Sequence, residues 1–125
     1  MERGLTFDTG ALIALESRRP LLRKRWLLAL AQRRIITAPT VVIAEWWRGR
    51  SDLRDEIVAS LRVEPLSETI AKVAGQALAA VGGSSTVDAI VMASAAQRGD
   101  VVYTSDYDDL ERLRAYFPSV RVLAV

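Results

Sequence analysis

The chain contains no cysteine and no histidine. Without cysteine there is no disulfide framework and no thiolate ligand, and without either residue a zinc site of the usual nitrogen and sulfur type is not expected. Any metal must therefore be held by oxygen. Oxygen ligation favours hard cations, with Mg²⁺ or Mn²⁺ first, and Ca²⁺ fits less well because the sequence has no loop of closely spaced ligands.

Long apolar runs are also missing. No stretch is long enough to span a bilayer, and Asp8 interrupts the N-terminal stretch that comes nearest to a signal-peptide core. We therefore expect a cytoplasmic protein with no membrane partner. The 125 residues, 50% of them hydrophobic, fit one domain over residues 1–125 that can bury a core without disulfides.

The net charge is only +2, but basic residues are unevenly distributed. Residues 18–34 contain six arginines and one lysine and no acid. Arginine pairs bidentately with phosphate oxygens, so this segment could attract a polyanion. A solvated helix face is the simpler interpretation. Polyanion binding becomes the better one only if a metal site that acts on a polyanionic substrate lies nearby.

Strand-like and helix-like segments alternate along the chain. The predicted strands are residues 5–7, residues 35–37, a segment from Val63 to Pro65, residues 101–103 and residues 121–123. The predicted helices start at Ala11, run over 21–33, from Pro39 to near Gly49, from 51 or 52 to 61, from Ser67 to Gly82, over 86–98 and over 108–116. This alternation predicts a parallel sheet flanked by helices, because parallel neighbours need a crossover connection.

Four acids stand in otherwise apolar stretches: Asp8, Glu45, Asp88 and Asp106. Burying a carboxylate without a partner costs several kcal/mol, so such acids indicate a compensating cation. Asp8 and Asp106 directly follow strands and belong at the carboxyl edge of the sheet, where ligands gather. With Asp88 in the first turn of its helix and Glu45 in mid-helix, the four are predicted to converge on a divalent metal.

Each acid also has a simpler interpretation. Asp8 and Asp106 could be helix N-caps, and Asp88 could favour the helix dipole. Glu45 has the weakest alternative, since aliphatic residues and two tryptophans flank it.

Together, four carboxylates a few ångströms apart would repel by about 4 kcal/mol per pair. Bound magnesium would relieve that repulsion and activate water toward a phosphodiester, with one ion or two left open.

Neighbouring residues are candidates for supporting roles. The hydroxyls of Thr9, Thr104 and Ser105 could hold a carboxylate or a phosphate, or serve as caps. Asp108 and Asp109 could assist the site or simply begin a helix. Trp46 and Trp47 could stack on bases, but at least one of them should be core.

Four motifs in this order resemble PIN-domain ribonucleases, in particular the VapC toxins of bacterial toxin–antitoxin pairs. They are residues 7–10 (FDTG), 44–49 (AEWWRG), 88–95 (DAIVMASA) and 104–106 (TSD). The resemblance covers nearly the whole chain. It departs from the family at Trp46 and Trp47, where leucine-like residues are usual, and at residues 82–85, where a basic residue is often found.

The resemblance implies a three-layer α/β/α sandwich with a five-stranded, mostly parallel sheet. It also implies a Mg²⁺- or Mn²⁺-dependent endoribonuclease that is a homodimer and is inhibited by a cognate antitoxin. By that likeness Asp8, Glu45, Asp88 and Asp106 are metal ligands or catalytic acids. The sequence does not identify the RNA that is cut.

Two other functions stay open. A PIN-like module could bind RNA or a partner without cutting it. A phospho-receiver domain also uses strand-end aspartates and magnesium, but it needs a lysine at a later strand end, and Lys24 and Lys72 both fall in predicted helices.

Overall fold

The computed structural model describes residues 3–125, which form a five-stranded sheet in the order β3-β2-β1-β4-β5 with every neighbouring pair parallel. The strands are β1 (Leu5–Phe7), β2 (Ile36–Pro39), β3 (Arg62–Glu64), β4 (Val101–Thr104) and β5 (Arg121–Ala124). The helices are α1 (Thr9–Glu16), α2 (Pro20–Ala31), α3 (Thr40–Trp46), α4 (Asp52–Ala59), α5 (Glu68–Val81), α6 (Thr86–Arg98) and α7 (Tyr107–Leu113).

Helices cover the sheet in two groups. Helix α1 packs against α2 and α4, whereas α5, α6 and α7 pack against one another and α6 crosses β1, β2 and β4. Every residue of β1, β2 and β4 is buried, as expected for parallel strands with helices on both faces. The predicted α/β/α sandwich with a five-stranded parallel sheet is confirmed.

Large side chains fill the core between these layers. Trp26 of α2 is buried, and its indole N–H donates to the Ser60 hydroxyl at 2.9 Å, which ties α2 to the end of α4. Trp46 is also buried, while Trp47 is half-buried and meets it edge to face with ring centroids 6.0 Å apart. The expectation that at least one of these two adjacent tryptophans is core is therefore correct.

Two helices are shorter than the sequence predicts. Helix α3 stops at Trp46 and not near Gly49, because Trp47 takes an extended conformation (φ −66°, ψ 128°). Glu45 consequently lies in the last turn of α3, so its predicted mid-helix position is wrong. Helix α7 begins at Tyr107 and ends at Leu113, three residues before the predicted end. The remaining boundaries agree to within two residues.

A buried polar network closes the amino end of the sheet. The Asp100 carboxylate accepts hydrogen bonds from the Thr6 hydroxyl at 2.8 Å and from Arg98 Nε at 2.9 Å, and Arg98 also pairs with Glu64. Gly4 lies against this network, since a Cβ there would come within 2.7 Å of Asp100 Oδ1. Asp100, which directly precedes β4, and Glu64, the last residue of the edge strand β3, therefore share a guanidinium partner within the protein.

Over residues 3–125, no helix by itself has the length and hydropathy needed to cross a bilayer; α5 and α6 pass that test only as a pair, bent by 118° at their junction.

Candidate metal and active site

The structure brings all four predicted acids to one cleft of about 230 Å³ at the carboxyl end of the sheet. The strand-end acids come from β1 and β4, which are neighbours in the sheet, and the other two come from α3 and α6. The residues lining the cleft are Asp8, Thr9, Glu45, Ser85, Val87, Asp88, Asp106 and Asp109. Parallel topology explains this convergence, because consecutive strand ends meet at the same edge.

Asp8 lies at the base of the cleft and is 3% exposed. It is the N-cap of α1, where its Oδ1 accepts a hydrogen bond from the Ala11 N–H at 2.8 Å, and its Oδ2 accepts one from the Thr104 hydroxyl. The capping interpretation of Asp8 is thus correct, but capping occupies one oxygen only. Within residues 3–125 no arginine or lysine forms an ion pair with this buried carboxylate.

Thr104 connects the two strand-end acids. Its hydroxyl donates to Asp8 and accepts a hydrogen bond from the Asp106 N–H at 2.8 Å. The Asp106 side chain is exposed and makes no capping hydrogen bond to α7, although it stands at the N-cap position. The capping interpretation therefore does not account for the Asp106 carboxylate, which stays available to a ligand.

Glu45 lies at the mouth of the cleft and is exposed. The Thr9 hydroxyl donates to its Oε1 at 2.6 Å, so α1 orients a side chain from α3. Although the surrounding sequence is apolar, Val42 and Trp46 turn to the core, and the helical period places Glu45 outside it. The apolar sequence around the four acids therefore does not bury all of them, since Glu45 and Asp106 are exposed.

Asp88 is half-buried in the first turn of α6, as predicted. Its N–H donates to the Ser85 hydroxyl at 3.1 Å, which makes Ser85 the N-cap of α6. Sequence reasoning missed Ser85, because residues 82–85 stood out only as a departure from the family pattern. The signal was available, since a serine three residues before an acid at a helix start is a common capping pattern.

Asp109 is a fifth acid in the cleft, and the sequence left open whether it assists the site or simply begins a helix. It is half-buried and pairs with Arg112 one turn later. Asp108 is exposed and does not line the cleft. Of these two adjacent acids, only Asp109 faces the cleft, because successive residues of a helix point in different directions.

Gly10 allows the loop after β4 to approach α1. A Cβ at Gly10 would lie 1.7 Å from Ser105 Oγ, so no larger residue fits without moving that loop. Ser105 itself is exposed and does not line the cleft. Its predicted supporting role therefore reduces to close packing that keeps Thr104 and Asp106 in place.

The carboxylates are close enough to repel one another. Burial raises the pKa of Asp8 from 3.8 to about 6; the hydrogen bonds from Thr104 and Ala11 oppose this rise, and the negative charges of Asp106 and Asp88 contribute to it. Burial also raises the pKa of Asp88; the Ser85 hydrogen bond opposes this, and Asp106, Asp109 and Glu45 add to the rise. A divalent cation would relieve both burial and repulsion.

The donor set fits Mg²⁺ or Mn²⁺, because the lining offers carboxylate and hydroxyl oxygens and neither nitrogen nor sulfur ligands. Within the described part of the chain, no three carboxylates are already spaced as ligands of one ion. Asp8 is fixed by two hydrogen bonds, whereas Asp106 and Glu45 are exposed. Binding of one metal ion by all four carboxylates would therefore require the exposed side chains to change rotamer.

Comparison with known proteins agrees with this geometry. The PIN domain family matches residues 5–116, so the chain belongs to the PIN domain family, as its motifs predicted. Comparison with curated protein sequences gave no match.

Solved structures share the fold at low sequence identity. A chain of DNA-bound VapBC from Salmonella typhimurium is 20% identical with a TM-score of 0.75, and 98% of each chain is covered. A chain of VapBC2 from Rickettsia felis, bound to a promoter DNA fragment, is 12% identical with a TM-score of 0.76 over 97% of this chain and 98% of that one. A chain of FitAcB from Neisseria gonorrhoeae is 18% identical with a TM-score of 0.59 over 95% and 96%.

Proposed function

We propose that this PIN domain is a divalent-metal-dependent endoribonuclease that hydrolyses RNA phosphodiester bonds. The observation that carries the proposal is Asp8, a buried carboxylate with a raised pKa and no cationic partner in the described chain, at the base of a cleft that Glu45, Asp88 and Asp106 also line. PIN domains are generally nucleases, which agrees with this reaction class.

The more buried acids are the better metal ligands. Hydrogen bonds from the Thr104 hydroxyl and the Ala11 N–H give the Asp8 carboxylate a defined orientation, and the Ser85 cap fixes the backbone of Asp88 at the start of α6. Bound Mg²⁺ or Mn²⁺ would supply Lewis-acid activation of water and neutralise charge on the scissile phosphate.

The exposed acids are better placed for proton transfer and for contact with substrate. Thr9 occupies Glu45 Oε1, which leaves Oε2 to accept a proton from water that enters the cleft. Asp106 has neither a capping bond nor an ion pair among the described residues, so its carboxylate is free to complete the metal site. These roles agree with those that the family resemblance implies.

We further propose that the protein is the toxin of a toxin–antitoxin pair, acting in the cytoplasm as a homodimer and inhibited by a cognate antitoxin. The matched structures are VapBC and FitAcB assemblies, and they share the fold over nearly the full length of both chains. The receiver-domain alternative finds no support, since Lys24 and Lys72 lie in α2 and α5, and Lys72 pairs with Glu68.

The test is cleavage of single-stranded and structured RNA by the purified protein with Mg²⁺. Asp8→Asn and Asp88→Asn should each lower the rate by at least about 100-fold, because each removes a preorganised charge at the reacting centre. Glu68→Gln, an exposed acid of α5, is the matched control and should cleave like the wild type. Circular dichroism and thermal melting establish that each variant folds.

Two outcomes would contradict the proposal. Equal cleavage by the wild type and both aspartate variants would show that the activity belongs to a contaminant. Magnesium binding in calorimetry without cleavage of any RNA would instead support the alternative of a module that binds RNA or a partner without cutting it.

A further inference from the structure

Arginines occupy the amino edge of the sheet, opposite the acidic cleft. Arg62 begins β3 and Arg121 begins β5, while Arg34 and Arg3 lie just before β2 and β1. Two adjoining clefts run along this edge, of about 760 and 370 Å³, and Arg34 lines both. We call the set the amino-edge arginines: Arg3, Arg33, Arg34, Arg62 and Arg121.

Most of this positive charge is not compensated within residues 3–125. Among residues 3–125, Asp100 is the one acid that lines either cleft, and it is buried against Arg98 and Thr6. Arg33, Arg62 and Arg121 are exposed and form no ion pair with a described residue. Three guanidinium groups are thus available to an anion from outside the molecule.

The backbone separates Arg33 and Arg34 from the other basic residues of the arginine-rich segment. After α2 ends at Ala31, the Arg33 N–H donates to the Leu30 carbonyl at 3.1 Å and the Arg34 N–H to the Ala29 carbonyl at 2.9 Å. Arg33 takes a left-handed conformation (φ 56°), which reverses the chain toward β2. The segment that the sequence suggested as one phosphate-attracting cluster is therefore two surfaces, one on α2 and one at the amino edge.

The shape of the basic edge favours an extended anion. Arg62 and Arg121 begin the two outermost strands, so four inter-strand steps of about 4.8 Å separate them, about 19 Å in all. A single phosphate or a small anion would engage only part of this row. A polyanion with regularly spaced charges could engage all of it.

We propose that the amino-edge arginines bind the phosphate backbone of the RNA substrate at a distance from the bond that is cut. This inference rests on the proposed ribonuclease function. The strands are three or four residues long, so about 13 Å of sheet separates this edge from the acidic cleft. An RNA longer than a few nucleotides can therefore contact both ends, and the basic edge supplies the attraction that the acidic cleft lacks.

The experiment measures RNA binding by fluorescence anisotropy in EDTA, so that neither cleavage nor metal is needed. The probe is a structured RNA of about 30 nucleotides, and the variant is Arg33→Gln/Arg62→Gln/Arg121→Gln. Losing three phosphate contacts should reduce the magnitude of the slope of log K against log [salt] by about 2. It should also weaken RNA binding at least about tenfold at 0.1 M salt.

The matched control is Arg19→Gln/Lys24→Gln/Arg25→Gln, which removes the same charge from exposed positions at and along α2. It should weaken binding by less than about threefold. Equal loss in both triple variants would show that only net charge matters and would overturn the proposal. Unchanged RNA binding in the amino-edge variant would also overturn it and would assign this edge to a protein partner.

Two further readouts keep the inference separate from the nuclease proposal. With Mg²⁺ present, the amino-edge variant should raise KM for the long RNA without changing kcat, because the substituted residues do not touch the reacting atoms. If no RNA is cut but the variant still loses binding, the nuclease proposal fails, and RNA binding at this edge stands without a role in cleavage. Should the triple variant not fold, Arg62→Gln and Arg121→Gln alone should each lower the salt slope by about 0.7.

Discussion

The two ends of the sheet each bury an aspartate, and they neutralise it differently. Asp100 at the amino end and Asp8 at the carboxyl end are both 3% exposed. Asp100 accepts hydrogen bonds from Arg98 and from the Thr6 hydroxyl. Among the described residues, the Asp8 carboxylate accepts hydrogen bonds from the Ala11 N–H and the Thr104 hydroxyl, both neutral donors. One carboxylate therefore has a cationic partner, whereas the other has none within residues 3–125.

The two buried aspartates therefore differ in how their charge is compensated. Arg98 joins Asp100, which directly precedes β4, to Glu64, the last residue of the edge strand β3, so a charged network holds these strands together. At the carboxyl end the neighbouring acids add repulsion to the burial of Asp8 and raise its pKa. Acids that weaken the fold are expected only where a ligand restores the balance.

The comparison is tested most strongly by removing the charge of Asp100. Asp100→Asn should destabilise the protein by about 3 to 5 kcal/mol, because it leaves Arg98 partly buried with one fewer charge partner. Urea unfolding at pH 7 measures the change. Cleavage per folded molecule should stay within about threefold of wild type, since this site lies at the far end of the sheet.

The matched substitution at the other end, Asp8→Asn, should have the opposite sign in the absence of metal. It should stabilise the protein by about 1 to 3 kcal/mol at pH 7, because the buried charge is removed and the carbonyl can still cap α1. Destabilisation of similar size by both substitutions would mean that the two aspartates are equivalent structural acids.

The pH dependence of stability should sharpen the same comparison. Folding raises the pKa of Asp8 from 3.8 to about 6, so the folded state binds the proton more tightly than the unfolded state. Stability from this group is therefore present below pH 3.8 and is lost as the pH rises toward 6. The loss is about 3 kcal/mol without metal. Thermal melts of wild type and Asp8→Asn from pH 4 to 7 in EDTA isolate it as their difference.

Magnesium provides the complementary measurement. If Mg²⁺ binds the ionised cleft, the wild type should regain about 2.7 kcal/mol at pH 7 when the ion is at 100 times its Kd, and Asp8→Asn should regain much less. If the difference in stability between the wild type and Asp8→Asn changes neither with pH nor with Mg²⁺, the base of the cleft does not hold an uncompensated carboxylate.

Much of this contrast could be predicted from the sequence, but not all of it. The position of Asp8 and Asp106 after short apolar strands is enough to place them at one edge of a parallel sheet. Their exposure does not follow from this position, since Asp8 is buried and Asp106 is exposed. Both acids directly follow the buried end of a strand, so the strands alone do not distinguish them.

The placement of site residues on helices was harder to predict than their placement at strand ends. The end of α3 is set by where Trp46 packs and where Trp47 becomes extended, so Glu45 was predicted one turn too deep in its helix. The network around Arg98 joins residues from β1, β3, α6 and the turn before β4, and such long-range pairs leave no trace in spacing. Only the packed structure determines which charges meet.

The smallest expected effect concerns Thr104, which holds Asp8 with a neutral donor. Thr104→Val keeps the shape of a residue that is fully buried but removes the hydrogen bond to Asp8 and the acceptor for the Asp106 N–H. We expect a loss of about 1 to 2 kcal/mol at pH 7 and a further rise in the pKa of Asp8, since the Thr104 hydrogen bond lowers that pKa. Urea unfolding across pH 5 to 8 measures both quantities.

Thr104→Ser is the control, because it retains the hydroxyl and loses only a methyl group. It should stay close to wild type in the pH dependence of stability even if it loses about 1 kcal/mol overall. A valine variant that shifts no further with pH than the serine variant would show that this hydroxyl does not hold the Asp8 charge. The orientation of Asp8 would then depend on the hydrogen bond from the Ala11 N–H alone. Thr104 would play no part in the difference between Asp8 and Asp100.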